Sequence, residues 1–420
     1  MTACPQNRVD WWLLTVPIDE RIARTRIRYS HHLLARIRAR DHDGWGAAPL
    51  YARAPHQVRG LRPILEELAS SLDVARPADA RARCAALLAA APDVGNAVDG
   101  ALWELEAIQA GCSVAALLGA TVTSVPVTEQ LFAAAVARPE EAWPPIRERG
   151  TRALKVKVCG DPEQDLRLLR RLRRVVGGET RLRIDANRGY SPEQARRLAD
   201  GLERLGIAEW EEPAAGDFEQ IAQLREQTGL RVILDESVRS RAQLEDAIAC
   251  NALDVLNLKL SRLGGITAAL EYRGLCGAAG VDVLLGCNED VGPGMAAVLH
   301  AAAAWRPFET EGVGWLRLGL DVASPSPVVV DGCVEISSRP GWGLTVEPRT
   351  HGRAGPARRR LPQPVHISSW SRPYAALSVA RQQHQRACNA WLRAGRLGRR
   401  TVDVAQRLLR VPASSQEVPR

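Results

Sequence analysis

From Val125 onward, short apolar runs alternate with amphipathic, Arg-studded stretches of helical periodicity. That alternation leaves few folds open, because strands separated by helices run parallel and a parallel sheet is covered by those helices. Eight runs qualify as strands: Val125–Leu131, Leu154–Val158, Leu182–Ala186, Ala208–Glu211, Val232–Asp235, Val255–Leu260, Val281–Gly286 and Phe308–Glu311. Eight units of roughly 25 residues predict a closed parallel barrel rather than an open doubly wound sheet. No G-x-G-x-x-G follows the first run, as a dinucleotide site would require.

Residues 1–124 read as a separate α+β unit. Strand character is expected at Trp11–Val16 and Thr25–Ser30, and a buried helix over Asp93–Ala110 with Ala97, Val98, Leu102, Leu105 and Ile108 at helical spacing, ending near Gly111. After the eighth run, Val328–Val334 and Gly341–Val346 are expected as short strands returning to that unit. Beyond Pro348 the composition changes to 15 Arg against Asp403 and Glu417, a local charge of +13. The total is +8, so residues 1–348 carry 8 − 13 = −5 and the basic charge belongs to the extension. Disorder is expected there, with Ala375–Leu397 as a candidate helix. No apolar run of about 18 residues and no signal-peptide pattern occurs, which predicts a cytoplasmic protein with no membrane partner. The nine cysteines are scattered without a C-x-x-C pair, as expected of reduced thiols.

Of the 56 basic residues only three are lysine, Lys155, Lys157 and Lys259, and all three fall in strand-like runs. Lysine, unlike arginine, can lose its proton when desolvated, so a proton-transfer role could not pass to arginine. Burial and crowding are expected to lower their pKa toward the value a base needs near neutrality.

The second to sixth runs end in polar residues: K-V-K at 155–157, D-A-N at 185–187, E-E-P at 211–213, D-E-S at 235–237 and N-L-K-L at 257–260. Catalytic groups of such barrels sit at the C-terminal strand ends. Asp185, Glu211 and Asp235, from three neighbouring strands, are expected to converge on a cation. Oxygen-only donors favour Mg²⁺, with Mn²⁺ as the alternative. Lys157 and Lys259 stand four strands apart, on opposite sides of the mouth, and Lys155 shares the inward parity of Lys157. A carboxylate substrate bound between them would exchange its α-proton through an enolate.

With these motifs in this order, and NLKLSRLGG at 257–265, the sequence resembles the enolase superfamily, in its muconate lactonizing enzyme subgroup, over roughly residues 8–348. The resemblance implies an α/β fold: a modified TIM barrel, (β/α)7β, over 125–319, an α+β capping domain over 1–124 completed by about 320–348, and an unrelated extension, 349–420. It implies Mg²⁺ on Asp185, Glu211 and Asp235, Lys157 and Lys259 as the acid/base pair, and a symmetric homo-oligomer. Lys155, Asn187, Glu236, Asp290, Glu311, Trp45 and Tyr51 complete the expected set as substrate-binding or supporting residues.

TEGVGWLRL at 310–318 resembles the strand-eight sequence of muconate cycloisomerases, whereas dipeptide epimerases carry D-x-D there and this chain has Val313 at the second acidic position. Asp290 replaces a Glu common at strand seven, and Gly44-Trp45-Gly46-Ala47 replaces a G-x-G-E loop. The activity expected is therefore that of a muconate cycloisomerase. The alternatives are o-succinylbenzoate synthase, N-acylamino acid racemase and dipeptide epimerase. From another class, a non-catalytic barrel with a nucleic-acid-binding tail is disfavoured, because a scaffold has no use for the lysine and carboxylate set.

Overall fold

The computed structural model describes residues 8–22, 25–39, 41–50, 65, 76–82, 91–316, 318, 320–352 and 365–366. The chain opens with an antiparallel meander, β1 (Arg8–Ile22), β2 (Thr25–Ala39) and β3 (His42–Pro49), in which the two expected strands are the middles of longer ones. One face of the sheet, with Leu33, Ala35 and Ile37, packs on helix α1 (Pro92–Gln109), whose Val94, Ala97, Val98 and Leu105 lie in the same core. The other face, with Trp12, Leu14, Leu34 and Trp45, packs on Val291, Leu318 and Val322 from beyond the seventh barrel strand. Gly44 and Gly46 let β3 lie against α1, since a side chain at either would collide with the carbonyl of Ala101 or Ala97.

After α2 (Val114–Leu117), the first expected barrel run divides in two. Its start is β4 (Ser124–Pro126), which pairs outside the barrel, and its end is β5 (Glu129–Leu131). There follow α3 (Ala133–Ala137), α4 (Pro139–Glu148), β6 (Ala153–Lys157), α5 (Pro162–Val176), β7 (Arg181–Asp185), α6 (Pro192–Glu203), β8 (Glu209–Glu211), α7 (Phe218–Thr228), β9 (Arg231–Leu234) and α8 (Arg241–Ala249). Next come β10 (Val255–Lys259), α9 (Leu260–Leu263), α10 (Ile266–Ala279), β11 (Asp282–Gly286) and α11 (Gly292–Trp305). Strands β5 to β11 form one parallel sheet in sequence order. The eighth run is reduced to a single parallel bridge, Thr310 to Leu285, and Thr310 O accepts from Thr128 N at 2.8 Å, which closes the ring onto the first strand. The molecule is thus a modified TIM barrel with an α+β cap. Sequence places the helix starts: the side chains of Asp161, Ser191, Asp217 and Ser240 each accept a backbone N–H of the first turn.

Alternation along the strands divides the barrel into two environments. Leu154, Val156, Leu182, Ile184, Trp210, Leu256 and Leu258 belong to the large core under the helices. Ile233, Val255 and Leu284 form a small separate cluster with Phe308. The positions between the helix-facing ones in β6 to β8, Lys155, Lys157, Arg183, Asp185, Glu209 and Glu211, carry charge.

Beyond the barrel, β12 (Leu320–Ser324) pairs with β15 (Thr345–Gly352). Between them β13 (Val329–Val330) and β14 (Cys333–Glu335) form a hairpin that adds to β4. The expected strand Val328–Val334 is broken because Asp331 and Gly332 turn with φ of 51° and 74°. Trp342 reaches the N-terminal unit: its Nε1 donates to Trp45 O at 2.8 Å and its N–H to Glu104 at 3.2 Å. Two pieces of the Arg-rich extension are strand: β15 runs on to Gly352, and Val365–His366 pairs with β1. The rest of it, Ala375–Leu397 included, lies outside the described residues, as does Tyr51.

Candidate active site

The C-terminal strand ends open into a cavity of about 570 Å³ lined by Lys155, Lys157, Lys259, Asn187, Asp235 and Glu236 among others. In the ring β6 and β10 are four strands apart, so Lys157 and Lys259 enter from opposite sides. Lys157 Nζ donates to Asp185 Oδ2 at 2.5 Å and to Asn187 Oδ1 at 2.9 Å. Lys259 Nζ donates to Asp235 Oδ2 at 2.7 Å. Lys155 Nζ lies deeper, 2.7 Å from Glu311, 3.5 Å from Asp185 and 3.4 Å from Glu211. Asn187 passes the chain of bonds on, its Nδ2 donating to Glu236 Oε1 at 3.2 Å.

Asp185, Glu211 and Asp235 stand on adjacent strands, with Asp185 directly opposite Glu211 in the register, and are 0%, 0% and 2% exposed. Carboxylates that far from water need a counter-charge. Their oxygen-only chemistry fits a hard divalent cation. Among the described residues, however, no three such groups are already gathered around one point. Ammonium and guanidinium groups hold them instead: the lysines, Arg262 on Asp235, and Arg183 on Glu211 at 2.6 Å.

This pairing corrects the expected lysine pKa. Burial pulls Lys155 and Lys259 down, but the facing carboxylates, Glu211, Glu311 and Asp185 for Lys155 and Asp235 for Lys259, outweigh it and both move up. The same contacts carry Asp185 and Asp235 the other way: burial favours their protonated forms, and Lys157 with Lys155, and Lys259 with Arg262, hold them below the usual carboxylate range. Burial was expected without its counter-ions, and the counter-ions decide the sign.

Asp185 and Glu211 are buried behind the cavity lining, and three other expected positions are displaced from it. Asp290 is buried under the strand-seven loop, where its Oδ2 accepts from Asn288 N at 3.1 Å and burial raises its pKa to about 6; Asn288 and Glu289 line the cavity in its place. Glu311 lies beneath the floor, bonded to Lys155, Gln130 and Arg183. Trp45 belongs to the cap core, stacked on Trp12 at 5.5 Å with Arg36 over both rings, while Pro49, Pro92 and Asp93 are what the cap contributes to the cavity wall.

Several site residues escaped the sequence reading. Arg183 is 1% exposed and joins Glu211, Glu309 and Glu311, tying strand three to strands four and eight. It stands two residues before Asp185, and Glu309 two before Glu311, so inward parity was the signal that could have found both. Glu212, in the left-handed region at φ 44°, accepts from Asp235 N at 2.7 Å, Ser237 N at 2.8 Å and Ser237 Oγ at 2.6 Å, bracing the loop after strand five. Asn187 and Arg188 after β7 and Glu289 after β11 share that backbone region at the same end of the barrel, a concentration of strain typical of functional sites.

A capped parallel barrel with paired lysines and carboxylates at its C-terminal mouth is the architecture of an enzyme. A family model described as Enolase C-terminal domain-like matches residues 138–350, and the chain belongs to this family, within the enolase superfamily. It is 33% identical over 319 residues to the L-Lys-D/L-Arg epimerase of Methylococcus capsulatus, covering 73% of this chain and 81% of the relative. It is 31% identical over 257 residues to a chloromuconate cycloisomerase of a Pseudomonas species, covering 60% and 70%. Among solved structures, a dipeptide epimerase from Methylococcus capsulatus complexed with Mg and the dipeptide L-Arg-D-Lys superposes with a TM-score of 0.72 at 29% identity, covering 81% of this chain and 99% of that one.

Proposed function

We propose that the protein is an enolising enzyme that removes or delivers the proton α to a substrate carboxylate, with Lys157 and Lys259 as its acid/base pair and an activity most like that of a muconate cycloisomerase. The observation that carries this reading is the pair of lysines entering one cavity from opposite strands, each bonded to a strand-end carboxylate. Asp185, Glu211 and Asp235 are the residues that would hold Mg²⁺, or Mn²⁺, which would take over the charge that the lysines now neutralise and stabilise negative charge developing on a substrate carboxylate.

In the cycloisomerase direction, one carboxylate oxygen of the substrate adds to the double bond conjugated with the other carboxylate. The electron pair moves onto that second group as an enolate, and a lysine ammonium returns a proton to its α-carbon. In an epimerisation, one lysine takes the α-proton and the other protonates the opposite face. Asn187 fixes the Lys157 ammonium through its Oδ1 and is itself fixed by Glu236.

Dipeptide epimerisation is the second reading, favoured by the 33% identity to an epimerase over most of both chains. Against it, Val313 is buried in the core and supplies no acidic partner for a substrate ammonium. The test is solvent-deuterium incorporation at the α-carbon of muconates, N-acylamino acids and dipeptides with Mg²⁺. Lys157→Ala and Lys259→Ala are each expected to lower it on the order of 10²- to 10⁴-fold or more, and exchange surviving in both variants would sink the assignment.

A further inference from the structure

The cavity presents five cationic side chains, Lys155, Lys157, Lys259, Arg262 and Arg239. Four of them already have a carboxylate partner: Glu311 for Lys155, Asp185 for Lys157, and Asp235 for both Lys259 and Arg262. The fifth differs. Arg239 donates its Nε–H to the Glu236 carbonyl at 2.9 Å, and among the described residues no carboxylate is within ion-pair reach of its guanidinium.

Its loop is nevertheless held. Glu212 bonds the backbone of Asp235 and Ser237. The Arg239 N–H donates to Gln243 Oε1 at 2.8 Å, and the Ser240 side chain caps α8 one residue on. The Nε bond holds one edge of this exposed, cavity-lining guanidinium and leaves its two terminal amino groups without a partner among the described residues. A planar fork with two outward donors and an uncompensated charge is matched by a carboxylate, which it can take in two parallel hydrogen bonds.

We propose that Arg239 is a specificity-determining residue that anchors a second carboxylate of the substrate, so that the site selects dianionic acids over monoanionic or cationic ones. The inference rests on the reading of this cavity as the site of a small carboxylate. It deepens that reading by placing the second anionic group at the rim after strand five, apart from the carboxylate whose α-carbon the lysines serve. A paired cation would first have to give up its partner before binding an anion, and Arg239 does not.

The experiment uses the full chain with Mg²⁺ and two non-lactonising probes, adipate and its monomethyl ester, whose binding is measured by calorimetry. The unsubstituted protein is expected to bind the diacid more tightly. Arg239→Gln is expected to weaken adipate on the order of tenfold, the rim position moderating the bond, while shifting the ester less than about twofold. Arg239→Glu is expected to reverse the preference, which a merely structural role for the side chain would not do. Equal or undetectable binding of the two probes by the unsubstituted protein, or a preference unchanged in Arg239→Gln, overturns the proposal. Failure of the enolising reading shows differently: the diacid preference and its dependence on Arg239 would persist while no carboxylate exchanged its α-proton.

Discussion

Two pairs of buried carboxylates, Asp185 with Asp235 and Asp99 with Glu104, behave in opposite ways. At the barrel mouth Asp185 and Asp235 face ammonium groups and are held in the charged form. On the seam between α1 and the barrel, Asp99 and Glu104 are as deeply buried but bond to backbone N–H groups and a hydroxyl. Asp99 takes Thr267 N at 3.1 Å and Thr267 Oγ1 at 2.5 Å, and Glu104 takes the N–H of Trp45 and of Trp342. Burial pushes Asp99 up to about 6 against those bonds and the more distant Arg81, whose own salt bridge is to Glu106, and pushes Glu104 up to about 8. Burial is common to both regions, so the partner decides the protonation state. Where a cation is present the carboxylates stay charged for chemistry; where only dipoles are present they act as seam hydrogen bonds whose charge is costly.

The sharpest way to break this contrast is to remove a cation from the mouth. Arg183→Met keeps much of the volume and leaves Glu211 and Glu311 without a guanidinium and Glu309 with that of Arg181 alone. Breaking a buried ion pair from one side costs about 3–5 kcal/mol. The strand-eight carboxylates are also involved, on a segment that three backbone hydrogen bonds join to β11. Urea midpoints should register the loss. A variant as stable as the parent would mean that Lys155 and Arg181 suffice to hold the cluster together.

The mouth was legible in the sequence because two regularities overlap there: strand alternation selects inward residues, and strand ends select those that reach the cavity. Lys155, Lys157, Lys259, Asn187, Asp235 and Glu236 all line it. Trp45 was misread for a physical reason. Gly44 and Gly46 look like a flexible loop, yet they are glycines because α1 leaves no room for a Cβ. The split of the first barrel run was hidden because Ser124–Pro126 and Glu129–Leu131 are both extended, and only the pairing of the first with the distant β14 separates them. The seam was invisible, because Asp99 meets a Thr267 that lies 168 residues away and no local periodicity reports such a pair.

Titration of the seam gives a smaller effect than loss of Arg183, with a definite sign. Asp99 has a higher pKa folded, about 6, than the ordinary 3.8, so stability linked to it is full below pH 3.8 and is lost as pH rises through about 6. That gap corresponds to about 3 kcal/mol. Asp99→Asn removes the titration, and whatever the amide costs in place of the carboxyl is the same at every pH, since an amide does not ionise. The stability of the variant minus that of the parent, followed by urea unfolding from pH 4 to 7.5, should therefore climb by roughly 2.5 kcal/mol. A flat difference would place Asp99 with the charged carboxylates of the mouth.

The smallest change tests whether dipoles hold the seam carboxylate in the way cations hold those of the mouth. Thr267→Val is nearly isosteric and removes one hydroxyl, which donates to Asp99 and accepts from Trp103 Nε1 at 3.0 Å. Asp99 retains the Thr267 backbone N–H, so the expected loss is about 1–2 kcal/mol where the carboxylate is charged. It should be smaller near pH 4, where a protonated Asp99 gains less from a donor. The hydroxyl is also one of the bonds that lower the Asp99 pKa, so its removal should move the midpoint of the pH dependence above 6. Both changes appear in the same urea series. A cost independent of pH would show that Trp103, not Asp99, is the partner that matters to Thr267, and the ionisation of the seam carboxylate would then rest on the Thr267 backbone N–H ahead of Arg81.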